Sequence, residues 1–134
     1  MANLSSYAER KILDHLFKNT AYTSPSAYIA LFTTDPTDSA SGTEVSGNGY
    51  ARVQIDTVMS SATTGSDNSS ITNGSNITFA AASGGAFGTI THIGIFDAAT
   101  TGNLIAHGAL AASKVISDGD TFQIQTGNLT ITID

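Results

Sequence analysis

The sequence predicts a mainly β protein: an antiparallel β-sandwich or small barrel of about seven strands, preceded by one N-terminal α-helix. Three observations carry this. Short apolar runs, most of them alternating, recur along residues 26–134, separated by clusters rich in Gly, Asn, Asp and Ser. Only residues 4–18 place apolar side chains at helical spacing. The chain has 134 residues and no cysteine, so the prior is a single domain, 1–134, whose modest core forms without disulfides.

The helix, about 4–18, reads LSSYAERKILDHLFK. Ser6 followed by Glu9 matches a capping box. Glu9 lies near the positive helix start and Lys18 near the negative end. Leu4, Ala8, Ile12, Leu13, Leu16 and Phe17 form the apolar face. That face is expected to pack on the protein's own sheet; docking on a neighbouring subunit is the alternative. Asn19 to Pro25 ends the helix, since proline cannot continue it.

Residues 26–34 form the first expected strand, with Tyr28, Ala30 and Phe32 on one face and Ile29 and Leu31 on the other. Both faces are apolar, which predicts a strand covered on both sides. A polar excursion, 35–49, follows; a loop of that length in a small domain is usually functional. Residues 50–58 resume a strand, with Ala51, Val53 and Ile55 facing inward. Residues 59–75 read as a polar loop holding at most one short strand. Residues 76–80 give a short strand, and SGGAFG at 83–88 a glycine-rich turn. Strands at 89–97 and 103–111 flank DAATTG as a hairpin. If that hairpin centres between Ala99 and Thr100, His92 and His107 are cross-strand partners. Lys114 to Ile116 extend into a further strand. Asp118-Gly119 marks a turn, and strands follow at 121–126 and 129–134. The chain stops on that last strand, so its end is expected within the sheet.

Charged residues make up only 12% of the chain and the net charge is −6, against a usual charged share of about 25%. A surface of Thr, Ser, Asn, Gly and Ala suits packing against other chains, because little charge must be desolvated. Three of the five basic residues, Arg10, Lys11 and Lys18, sit in the helix. No basic stripe is left to neutralise phosphates, so nucleic acid is not an expected partner. No apolar run approaches the ~20 residues of a membrane span, and the N-terminus lacks a secretory-signal pattern.

No constellation for chemistry stands out. His92 and His107 lack a third metal ligand. Asp35, Asp38, Asp118 and Asp120 are oxygen donors, but no stretch matches a calcium loop, and each sits where turns favour Asp. SGGAFG lacks the lysine and the following helix of a phosphate loop. No catalytic motif is present. The expectation is no enzyme, no cofactor and no metal.

Three stretches carry a resemblance: YIALFTTDPTDSASGTEVSGNGYARV at 28–53, GTITHIGIFDAATTGNLIAHGAL at 88–110 and SDGDTFQIQTGNLTITID at 117–134. In this order they resemble small bacteriophage virion proteins of the tail-fibre-like and head-decoration (cement) type. The resemblance implies a virion structural protein, most simply a capsid decoration subunit that bridges capsomers and stabilises the head. The alternative is a tail or tail-fibre-associated module binding a tail partner or host surface. The expected partners are the phage major capsid protein or tail proteins; the low charge fraction and the long loop 35–49 add the expectation of a homo-oligomer, a trimer by preference, and the lack of an apolar span that of no membrane. The expected interaction residues are Leu16 and Phe17 on the helix; Asp35, Pro36, Thr37 and Asp38 in the DPTD turn; and Glu44, Tyr50 and Arg52 beyond it.

Overall fold

The computed structural model describes residues 2–133. Met1 and Asp134, which the sequence reading includes in the domain and in the last strand, lie outside the described residues. Ten strands and one helix follow in the order β1 (Ala2–Leu4), α1 (Ser6–Phe17), β2 (Tyr28–Phe32), β3 (Val53–Gln54), β4 (Thr63–Thr64), β5 (Ser69–Thr72), β6 (Ile77–Thr78), β7 (Gly88–Phe96), β8 (Leu104–Ile116), β9 (Gln123–Ile124) and β10 (Thr130–Ile133). Eight strands form one sheet in the order β3-β2-β7-β8-β1-β10-β5-β4, curled into a half-barrel, while β6 and β9 pair as a separate ribbon. The mainly β class with an N-terminal helix is as expected.

One pair departs from antiparallel order. β1 lies parallel to β10, with Ala2 opposite Ile131, and antiparallel to β8, with Leu4 opposite Ala106. Three residues are too few for periodicity to reveal β1. The chain leaves this strand at Ser5, whose N–H donates to Ile105 O at 2.7 Å and whose hydroxyl donates to Leu104 O. Ser5 Oγ also accepts the Ala8 N–H at 3.3 Å, so Ser5 caps α1. The N-cap is therefore Ser5, not the expected Ser6, because the sheet holds Ser5 in extended backbone, and with Ala8 three residues on, the expected box with Glu9 does not form. The helix ends where Lys18 N–H donates to Asp14 O and Asn19 turns left-handed at φ 54°.

The central hairpin is β7–β8. Asp97 caps its turn, accepting Asn103 N–H at 2.7 Å and the Asn103 amide at 2.9 Å. Ile105 is bulged out, since Ile95 opposes Ala106 while Phe96 opposes Leu104. The bulge and the turn together move the register two residues from the expected one. His107 faces Gly94 and His92 faces Ala109. An offset of two keeps side-chain parity, so both imidazoles still share a face. Further along, Leu110 to Ser113 oppose only Thr91, and the expected short strand at 114–116 is the continuation of β8 beyond that bulge.

Of the 50–58 stretch only Val53 and Gln54 form a strand, β3, paired with β2, and Ala51, expected to face inward, is exposed. Residues 47–49 all have positive φ, and Tyr50 and Arg52 turn toward other partners described below. Residues 59–75 hold two strands, more than expected. β4 and β5 form a hairpin closed by Gly65 N–H to Asn68 O, and β5 then lines β10. Their Ser and Thr residues carry no alternation to read.

The main core gathers Ile29, Leu31, Phe79, Ile93, Phe122 and Leu129, with others, on one side of the sheet. A second, smaller cluster lies on the opposite face of β2: Ala30, Phe32, Phe96 and Leu104, covered by Ala40. β2 is thus buried on both faces, as its sequence indicates. Asn73 is fully buried and fully used. Its amide donates to Ser75 O and Gln125 O, and its side-chain oxygen accepts Leu129 N–H, each at 2.9 Å.

Candidate interaction surface

The loop from 35 to 49 folds back along β2. Thr33 N–H donates to Thr43 O, and Val45 N–H donates to Leu31 O, both at 2.9 Å. Asp35 Oδ1 accepts the Thr37 N–H at 2.9 Å, a turn that Asp favours. Pro36 is buried while Asp35, Thr37 and Asp38 are exposed. At Gly42 a Cβ would sit 2.6 Å from Asp35 O, so the close return of the loop requires glycine there.

Asp38 pins the loop tip to the sheet and the helix. Its carboxylate accepts from His107 Nε2 at 2.8 Å and from the Ser6 hydroxyl at 3.0 Å. A carboxylate only accepts, so Nε2 carries the proton. The His107 hydrogen bond, then that of Ser6, hold Asp38 below its ordinary pKa. Asp35 lies 4.0 Å from His92 and 3.9 Å from His107. Both histidines thus face the DPTD turn. Among the described residues no group of three or more His, Asp or Glu has a metal-holding arrangement.

Glu44, Tyr50 and Arg52 form one network beneath the loop. Arg52 binds Glu44 through Nε and Nη2, both at 2.8 Å, a bidentate charge-assisted pair. Its Nη1 donates to Ala98 O at 2.9 Å and Thr101 O at 2.7 Å in the β7–β8 turn. The guanidinium lies 3.8 Å from the centre of the Phe96 ring. Only 6% of the Arg52 side chain is exposed, against 24% for Glu44. The Tyr50 hydroxyl donates to Glu44 at 2.8 Å and accepts Leu31 N–H at 3.0 Å. Burial, reinforced by the nearby Glu44 charge, pushes the Tyr50 hydroxyl far above its ordinary pKa. These three side chains are spent on clasping loop, β2 and hairpin turn together.

The helix behaves differently from the packed element its apolar face predicts. Only Ala8 is buried, and Leu4 and Ile12 are half-buried. Leu13, Leu16 and Phe17 are 56%, 64% and 80% exposed. The cap at Ser5 roots the first turn in the sheet, and the last turn extends past it. A groove of about 270 Å³ runs between α1 and the sheet, with Leu4, Ile12, Leu13 and Ile133 along it. Behind the helix, Tyr22 N–H donates to His15 Nδ1 at 3.2 Å. Burial raises the pKa of the Tyr22 hydroxyl, which among the described residues has no hydrogen-bond partner.

The expected interaction residues therefore fall in three places. Leu16 and Phe17 stand in solvent on the helix. Asp35, Thr37 and Asp38 are exposed at the loop tip, with Pro36 beneath them. Glu44, Tyr50 and Arg52 are interior or half-buried. Leu13 and Val115, the latter 67% exposed, were not among the expected residues. Leu13 shares the helical spacing of Leu16 and was legible; Val115 depends on the β8 bulge, which the sequence does not signal.

Among curated proteins none matches this chain. A family model described as Podophage GP4 fiber I protein gp80 matches residues 3–132. That span takes in the helix, the clasped loop and every strand from β2 to β9. The chain belongs to this family of phage fibre proteins and is a structural component of the virion.

Proposed function

We propose that the protein is a subunit of the phage tail or tail-fibre apparatus, acting by binding rather than by catalysis. The observation that carries this is the fibre-protein family match across residues 3–132, joined to a helix whose Leu13, Leu16 and Phe17 are left uncovered. Burying one such side chain is worth about 1.5–3 kcal/mol, so the uncovered face is a reserve of binding energy within the assembled particle. The loop 35–49, held rigid by the Arg52 clasp, gives the surface a defined shape. The family description favours this reading over head decoration, in which the same subunit would bridge capsomers.

Virions with and without the protein separate the two. Under the tail reading, a reconstruction of the wild-type particle shows its density on the tail. Particles lacking it adsorb poorly to host cells, and their packaged DNA is released at the wild-type temperature. Density on the head, with a lowered release temperature and normal adsorption, replaces this reading with the decoration role.

A further inference from the structure

Four titratable side chains meet where the tip of the 35–49 loop rests on the β7–β8 hairpin. Asp35 and Asp38 come from the loop, His92 from β7 and His107 from β8. The imidazoles are enclosed and the carboxylates are not. Side-chain exposure is 22% for His92 and 21% for His107, against 56% for Asp35 and 57% for Asp38. The acids thus sit on a surface loop and the imidazoles on the sheet beneath it. Arg10, from α1, lines the same depression as a fixed positive charge.

His107 lies between the two acids. With its proton on Nε2, donated to Asp38, its Nδ1 carries a lone pair. That lone pair faces Asp35 Oδ1 across 3.9 Å, a repulsive contact. Asp35 is held there by the turn it caps, since Oδ1 accepts the Thr37 N–H at 2.9 Å. Its Oδ2 lies 4.0 Å from His92 Nε2, while His92 Nδ1 is engaged with the Thr91 hydroxyl at 2.8 Å. Protonating His107 replaces the lone pair by a donor facing Asp35 and makes the bond to Asp38 charge-assisted. Protonating His92 sets a second cation beside the other oxygen of Asp35. Burial of the imidazoles and the charge of Arg10 both oppose a cation here. At His107 two carboxylates, one of them in direct hydrogen bond, outweigh that opposition.

We propose that the DPTD turn is a pH-sensitive latch: protonation of His107, with His92 beside it, draws Asp35 and Asp38 onto the hairpin and holds the loop tip closed in mild acid. An imidazole changes charge between about pH 5 and 8. The added hold is complete below that range and lost as pH rises through it, the sign that follows when the closed loop takes up protons that the open loop releases. The latch concerns the shape of the loop surface and does not depend on where in the virion the subunit sits.

Hydrogen exchange of the amides across 37–41, taken relative to their intrinsic rates, tests it on the full chain at about pH 8 and about pH 5.5. Wild-type protection is expected to rise about two- to fivefold at the lower pH. In His107→Gln, whose side-chain amide can still donate to Asp38, most of that rise should vanish. In Asp35→Asn, which keeps an acceptor for the Thr37 N–H, the rise should be smaller than in wild type. Thermal melts verify that both variants fold; should His107→Gln fail to, Asp35→Asn decides alone, its position being exposed. Wild-type protection that stays flat or falls between the two pH values overturns the proposal. A rise of wild-type size in either variant also overturns it, since the titrating contact then lies elsewhere.

Discussion

The Arg52 clasp and the last turn of α1 handle their side chains in opposite ways. At the clasp, a guanidinium with 6% exposure has four hydrogen bonds and an aromatic ring beneath it. At the helix end, three large apolar side chains have more than half their surface in water. A buried charge without partners is costly, so every donor at the clasp must be satisfied within the chain. Exposed apolar groups carry no such demand; they cost little in the free subunit and gain on contact. The first region serves the fold, and the second is the surface on which the proposed binding role rests. Sequence character alone does not reveal the division, because the polar residues are inside and the apolar ones outside.

The contrast breaks most visibly at Arg52. Arg52→Ala leaves Glu44 half-buried without its cation and frees the β7–β8 turn. Loss of one partner of such a pair costs about 3–5 kcal/mol, and a drop in melting temperature on the order of 10 °C is expected. A variant melting within a degree or two of wild type would show that the clasp does not hold the loop.

Ser5→Ala comes next. It removes the helix cap and the hydroxyl bond to Leu104 O, and about 1–2 kcal/mol should be lost. Urea denaturation measures this. An unchanged midpoint would mean the helix is held by contacts other than its root.

Acid sharpens the comparison at the loop tip. The folded-state pKa of Asp38 is lowered from 3.8, through its bonds to His107 and Ser6. A lowered carboxylate pKa gives stabilisation that is complete above the ordinary value and lost as pH falls through the folded one. Protection of the amides across 37–41, taken relative to their intrinsic exchange rates, should therefore fall in acid below 3.8, and Asp38→Asn should remove that step. An acid step that survives in Asp38→Asn belongs to another group.

The smallest effect is expected at Phe17. Phe17→Ser should change folding stability by no more than about 0.5 kcal/mol, as exposed positions generally do. A loss above 2 kcal/mol would show that the helix end packs within its own chain, and the distinction between the two regions would fail.

The parts of this fold legible in sequence are those whose signal is local. The two-sided apolar run of β2, the β7–β8 hairpin and the helix all carry their periodicity within a few residues. β1 is three residues long and exists because β8 and β10 accept it from both sides. β4 and β5 are built of Ser and Thr, with only Ile71 to mark a face. The site was half legible for a similar reason. The helical spacing of Leu16 and Phe17 is plain in the sequence, but their exposure follows from where Ser5 roots the helix. Glu44, Tyr50 and Arg52 stand close together in the sequence, but their enclosure depends on a turn some 46 residues beyond Arg52, at Ala98.

The placement of β1 between β8 and β10 also sets an order in time. Synthesis runs from the N-terminus, so residues 2–4 emerge well before their partners at 106–107 and 131–132. Until β10 is made, β5 and β4 have no strand joining them to the rest of the sheet. The β3-β2-β7-β8-β1 part of the sheet has all its strands before β10 is made, and β10 then adds β5 and β4 to it. Contacts of such long sequence separation fold slowly. The eight-stranded sheet is therefore complete only after β10 is in place.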